Sequence, residues 1–159
     1  TYLKKYGGAK MERCDGLDIN YKNKKASIYG DLRNLKKIIP ANRYDVIILT
    51  QILGMIDDVA SAIGECYRIL KPGGWLIGTS AYLSPYIEPK QNYWRFTTTG
   101  IHYLLNKFFE QEKIRVGSYG NVLAGQAFWV GLAQEDLRLK DLEYNDPHYP
   151  LIIAFKAQK

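Results

Sequence analysis

The chain is poor in the residues that most often carry metal or nucleophilic chemistry. It has two histidines, His102 and His148, and two cysteines, Cys14 and Cys66, and neither pair has metal-ligand spacing, so no metal site is expected. His102 falls on a helical stretch beside Ile101, Leu104 and Leu105, and His148 falls in a turn. Both read as structural, and no catalytic base is assigned. The cysteines lie in apolar surroundings and are expected as reduced core thiols rather than a bridge. Long apolar runs are lacking too: the longest, Val46 to Ile56, contains Thr50 and Gln51 and is too short to span a bilayer. No basic start precedes an apolar signal region, which makes the cytoplasm the default compartment. Repeats, low-complexity tracts and linkers are absent, so one domain over residues 1–159 is expected. The first residue is Thr, which leaves processing, trimming or excision from something longer open.

Hydrophobic residues make up 47% of the chain and charged residues 24%, a balance that excludes wholesale disorder. The formal net charge is +6, yet the lysines are scattered in small groups such as Lys4-Lys5, Lys24-Lys25 and Lys36-Lys37. That pattern fits a solvated surface better than a nucleic-acid stripe. The thirteen tyrosines suit strand surfaces or a partly wet cleft.

The chain is organised around residues 44–80. Val46, Ile47, Ile48 and Leu49 are consecutive and mostly β-branched, which predicts a strand buried on both faces. Asp57 or Asp58 then caps a helix whose Val59, Ile63, Tyr67 and Leu70 share one face. Pro72 cannot continue that helix, and Gly73-Gly74 supply a left-handed turn that ends it. Trp75 to Thr79 is the next strand, giving a β-α-β unit with a right-handed crossover. Around this unit, strands are expected at Arg13–Ile19, Ala26–Tyr29, Lys113–Tyr119 and Leu151–Lys156. Helices are expected on the spacing of Leu32, Leu35, Ile38 and Ile39, after a Thr97 cap, and in part of Val122–Leu139.

A strand beginning Tyr-Asp-Val-Ile, a helix ending Tyr-Arg-Ile-Leu-Lys-Pro-Gly-Gly and an apolar strand after it resemble the class I S-adenosylmethionine-dependent methyltransferases, of the type 11-like kind. The resemblance implies an α/β, Rossmann-like, mostly parallel sheet with flanking helices and an antiparallel last strand beside the strand at Trp75. It implies S-adenosylmethionine as cofactor. It places Asp18 on the ribose hydroxyls with Ile19 beside it, Asp31 on the adenine amine, the Leu32 amide near the ring, and Thr50 and Gln51 at the methionine end. A carboxylate suits the ribose because two vicinal donors can share its two oxygens. Asp18 read alone is a weak signal, a plain acid at a strand-to-loop boundary being the other reading, and Asp31 could otherwise cap the helix after it, two roles that can coexist.

The string Tyr93-Trp94-Arg95-Phe96-Thr97 before a helix is similar to a methyltransferase branch often associated with glycan or cell-envelope biosynthesis. That implies a small-molecule or glycan substrate, with Tyr93 and Trp94 as an aromatic wall and Arg95 as an anion clamp; pinning the loop onto the sheet is the equal alternative. Two family features are missing. Leu53-Gly54-Met55 stands where many members carry a Glu-His pair, and no Gly-x-Gly-x-Gly loop or strand before it occurs. The sheet's first strand is therefore expected to be absent, leaving a gap between the strands that end at Asp18 and Thr50. Those strands close up, another chain such as a second copy supplies the missing one, or the chain is an N-terminally truncated fragment. The competing reading is a non-catalytic methyltransferase-like module that binds or scaffolds a partner.

Overall fold

The computed structural model describes residues 11–86 and 92–159. The expected helix end at Thr1–Tyr6, stopped by Gly7-Gly8, and part of the proline-containing loop around Pro89 lie outside the described residues. The centre is the expected unit: β3 (Tyr44–Thr50), helix α1 (Val59–Ile69) and β4 (Leu70–Ala81), with β3 and β4 parallel. Asp58 is the N-cap, its carboxylate accepting from the Ser61 N–H at 3.0 Å. β6 (Ile152–Gln158) pairs antiparallel with β4, and β5 (Ile114–Tyr119) pairs antiparallel with β6, so the four-stranded order is β3-β4-β6-β5. Three of these four strands run the same way and the last is reversed, as the resemblance implied. Helix α2 (Thr98–Leu105) starts at the expected cap, where Thr97 Oγ accepts from the Gly100 N–H at 3.0 Å. Helix α3 spans Val122–Val130 and α4 Leu139–Glu143.

β1 (Leu17–Asp18) and β2 (Ile28–Tyr29) form a separate parallel pair, much shorter than the sequence suggested. Among the described residues no ladder joins β1 to β3. Side chains do join them. Tyr44, which opens β3, donates its hydroxyl to Asp15, just before β1, at 3.0 Å. Arg33 joins Asp31, just after β2, to Asp57, beyond β3. Strand starts are tied to starts and ends to ends, so the two sheets run in the same direction, and among the described residues no strand lies between them.

The main core fills one face of the four-stranded sheet. Leu49, Leu76 and Phe155 meet Ile63 and Cys66 of α1 and Ile101 and Leu105 of α2. Burial there pushes the Cys66 thiol up to about 12. A smaller cluster of Leu35, Ile39 and Ile69 takes in Leu17, Ile28, Leu32, Tyr44 and Ile47, and so bridges the gap on that same side.

Four expectations need correction. β3 is not buried on both faces: Val46 is 48% exposed and Ile48 47%, beside Ile77 at 42%, because among the described residues no helix packs on that side. Residues 32–39 are turns rather than a helix, since the Leu35 N–H is captured by the Glu65 carboxylate at 2.8 Å. The stretch Lys71–Gly74 does not end α1. The helix stops at Ile69, and the Lys159 ammonium caps its last turn, donating to the carbonyls of Tyr67 at 2.9 Å and Leu70 at 2.8 Å. Gly73 does take a left-handed φ of 78°, and Gly74 lets β4 pass Asp45, whose carbonyl would lie 3.0 Å from any added Cβ. Finally, Cys14 is exposed rather than core.

Candidate functional site

The carboxyl ends of β1, β2 and β3 bring the expected residues to one rim of the molecule, the place where open α/β sheets bind ligands. Asp18 ends β1. One carboxylate oxygen accepts from the Asn20 N–H at 2.7 Å and the other from the Asn23 side-chain amide at 2.5 Å. The Asn23 amide, with the Asn20 N–H after it, holds this carboxyl below the usual range, so it is ionised at neutral pH. A carboxylate has about four acceptor positions, and among the described contacts Asn20 and Asn23 take one on each oxygen, with the Ile19 N–H also bearing on the group. Ile19 beside it is 61% exposed. Asn20 and Asn23 were missed in the sequence reading; their signal was two short polar side chains just past a strand-ending acid.

Asp31 is placed differently. The adjacent Gly30 N–H donates to the Asp18 carbonyl at 3.0 Å, which sets the two acid loops side by side. The Asp31 carboxylate is already engaged by Arg33. One oxygen accepts from the Arg33 backbone N–H at 2.9 Å and from Nε at 3.0 Å; the other accepts from Nε at 3.0 Å and Nη2 at 2.5 Å. That fork holds the Asp31 carboxyl below the usual range. Asp31 caps no helix. The Leu32 side chain is partly buried and packs against both core clusters, which fixes the loop by its middle.

Thr50 and Gln51 end β3. Gln51 takes a left-handed φ of 58°, held by its N–H on the Thr79 carbonyl at 2.9 Å and its side-chain amide on the Thr79 hydroxyl at 3.2 Å. A non-glycine residue in this region is uncommon, and such conformations concentrate at ligand sites. Thr50, Thr79, Gly78, Ile48 and Ile77 line an open cavity of about 250 Å³ on the bare sheet face.

Tyr93, Trp94 and Arg95 sit against the turn after β3. The Tyr93 and Trp94 N–H groups donate to the Gly54 carbonyl at 2.9 and 3.2 Å, and the Trp94 indole N–H donates to the Ile56 carbonyl at 2.9 Å. Gly54 is required, because an added Cβ would come 2.9 Å from the Trp94 carbonyl. The Tyr93 and Trp94 rings remain half exposed. Arg95 turns its guanidinium onto its own loop, donating to the Pro85 carbonyl at 2.9 Å, the Trp94 carbonyl at 3.0 Å and Asn92 Oδ1 at 2.5 Å. The turn at 54–57 is thus the hub: it holds the aromatic loop through carbonyls and the Asp31 loop through the Asp57 carboxylate, a residue the sequence suggested only as a cap. His102 is partly buried on α2 and His148 exposed in the turn at Asp146–Tyr149, the helix and turn positions expected for them. Among the described residues no group of acids, histidines or cysteines could hold a metal ion, and no helix is long and apolar enough to cross a membrane.

A family model described as a methyltransferase domain matches residues 2–78. No protein of curated function matches the sequence. Among solved structures, an S-adenosylmethionine-dependent methyltransferase from Archaeoglobus fulgidus is similar at 15% identity and a TM-score of 0.65, covering 99% of this chain and 79% of its own. One from Mesorhizobium loti is similar at 14% identity and a TM-score of 0.53, covering 91% of this chain and 79% of its own. The [4+2]-cyclase SpnF is similar at 18% identity and a TM-score of 0.51; it covers 82% of this chain, which spans 55% of the cyclase. A fold that includes a cyclase does not fix the reaction. By the family model over residues 2–78 and by its fold, the chain resembles the class I S-adenosylmethionine-dependent methyltransferases.

Proposed function

We propose that this chain, acting as one domain over residues 1–159 in the cytoplasm, binds S-adenosylmethionine across the carboxyl ends of β1 to β3 and presents it to a small acceptor such as a sugar or glycan precursor. The observation that carries the reading is the Asp18 carboxylate: ionised, half-buried at a strand end, and held among the described residues by donors of its own loop that leave acceptor capacity on the carboxylate. That donor set fits two vicinal ribose hydroxyls. Ile19, Asp31 and Leu32 border the adenine, and Thr50 and Gln51 the methionine end. When bound, the cofactor supplies a methyl group on a sulfonium. The chain's own residues orient it and the acceptor for in-line displacement. Tyr93 and Trp94, half exposed, offer a sugar an apolar wall. Arg95 reaches an acceptor anion only with donors its carbonyl partners leave free, so its first role is to shape the loop.

The open position between β1 and β3 bears on the same site. One strand parallel to both would complete the sheet, from a second copy or from sequence upstream of β1. The β3-to-β4 crossover carries α1 over the Leu49 side. A crossover from the gap to β1 travels the opposite way across the sheet, so right-handedness carries its helix over the bare Val46 and Ile48 side. Sedimentation of the 159-residue chain separates a self-completing oligomer from a monomer. The second reading, a non-catalytic binding module, is favoured by the missing glycine loop and by the engagement of Asp31 with Arg33. Calorimetric titration with S-adenosylhomocysteine decides between the two: micromolar binding that Asp18→Ala abolishes supports the enzyme reading, and no binding by the folded chain refutes it.

A further inference from the structure

We propose that Arg33 is an exchangeable latch on the cofactor site, a residue that sets cofactor affinity by moving between two carboxylates. The inference rests on the cofactor reading above and goes beyond it to a residue outside that reading. In the observed state the Arg33 fork and backbone N–H fill the acceptor positions of Asp31 on both oxygens. An adenine amine therefore cannot reach this carboxylate until the fork leaves. A landing place already exists. Arg33 Nη1 is on Asp57 Oδ1, which also accepts the Asp58 N–H at 2.7 Å, while Asp57 Oδ2 accepts no hydrogen bond among the described contacts. Swinging the guanidinium fully onto Asp57 replaces one forked carboxylate pair by another, the bidentate geometry that arginine favours. The Arg33 side chain is 38% exposed, Asp31 34% and Asp57 48%, so water helps the exchange and neither pair is strongly held.

The exchange has a mechanical consequence. Asp57 belongs to the turn whose carbonyls hold the Trp94 indole at 2.9 and 3.3 Å. Arg33 moved onto Asp57 tightens the turn that positions the aromatic loop, so occupation of the adenine side is felt on the acceptor side. Movement of one guanidinium is all this requires; no bond is made or broken.

The test is a double-mutant cycle read by calorimetric titration with S-adenosylhomocysteine, with folding checked by circular dichroism. Arg33→Ala frees Asp31 and is expected to tighten binding by roughly three- to fivefold, the scale of an exposed ion pair. Asp57→Asn removes the landing place and is expected to weaken binding by a similar factor. The double variant is expected to bind like Arg33→Ala alone, because without Arg33 the landing place has no tenant. Asp31→Asn should lose the response to Arg33 altogether. Unchanged or weaker binding in Arg33→Ala, or additive effects in the double variant, overturns the latch while leaving the cofactor site standing. Absence of binding in every folded variant and in the parent chain overturns the latch and the cofactor reading together.

Discussion

Ile48 and Leu49 are neighbours on one strand, equally apolar, and live in different molecules as far as packing is concerned. Leu49 is 7% exposed, inside a core shared with α1 and α2; Ile48 is 47% exposed on a face that carries Val46 and Ile77 as well. Strands alternate their side chains between faces, so a strand covered on one side normally reads apolar-polar. Here both sides read apolar. Sequence records which surfaces are suited to burial, whereas the structure records which are buried, and the difference between the two faces of β3 marks where a covering element belongs. Substitutions at four positions test that comparison, from the largest effect to the smallest, with Leu49→Lys as the control for the last.

On the covered face, Leu76→Ala deletes a fully buried side chain between β3 and β6. Lost burial and the cavity left behind should cost about 3 kcal/mol, within the usual range for such truncations, seen as a lower midpoint in urea unfolding with an unchanged slope.

Glu65 supports the same face from beneath. Its carboxylate, 8% exposed, accepts from Arg68 Nη2 at 2.8 Å and from the Leu35 N–H at 2.8 Å, and so fixes the loop that carries Asp31 and Leu32. Glu65→Ala leaves the Leu35 N–H without its acceptor and Arg68 with only the Ile39 carbonyl, and should cost about 2 kcal/mol. The Arg68 guanidinium, opposed by burial and helped by the Leu35 N–H, holds this carboxyl below its ordinary value. A carboxyl lowered on folding stabilises fully above its unfolded pKa, about 4.3, and that stabilisation fades as the pH falls through the folded value. The gap between parent and Glu65→Gln should therefore be full at pH 7 and shrink below about pH 4. A gap that is constant from pH 7 to pH 3 would show that the charge contributes nothing.

Thr97→Ala removes the cap of α2 and should cost about 1 kcal/mol, with Thr97→Ser restoring most of it. Equal stability of the alanine and parent chains would mean that packing of Ile101 and Leu105 alone sets the start of that helix.

How much of this was legible follows from the range of the interactions. The β3-α1-β4 unit and the Thr97 cap were readable because periodicity, capping residues and breakers act within a few positions, whereas the reversed last strand was expected only from the family resemblance. Residues 32–39 were misread because the N–H that a helix needs at Leu35 is taken by Glu65, thirty positions away. The end of α1 was misassigned to Gly73 because its carbonyls are capped by Lys159, a residue local patterns cannot connect to it. At the candidate site the strand-end acid Asp18 was readable, but the Arg33 fork on Asp31 was not: an arginine two residues past an aspartate is common, and only the fold brings Asp57 to its other side.

The smallest expected effect is the most informative. Ile48→Lys places a charge on the bare face, beside Ile77 across the β3–β4 ladder. In the chain as described, with nothing packed there, the long side chain reaches water, and the change in stability should stay within about 0.5 kcal/mol, as for other surface sites. The same substitution at Leu49 buries an unpaired ammonium and should prevent folding. If instead Ile48→Lys costs several kcal/mol in the 159-residue chain, the face is covered in solution, and sedimentation shows whether a second copy covers it. If the cost appears only when β1 is joined to more upstream sequence, the cover is a strand and helix of the same polypeptide. The bare face then becomes the seat on which the cofactor rim is completed, because the strand that fills the gap ends beside Asp18 and Thr50.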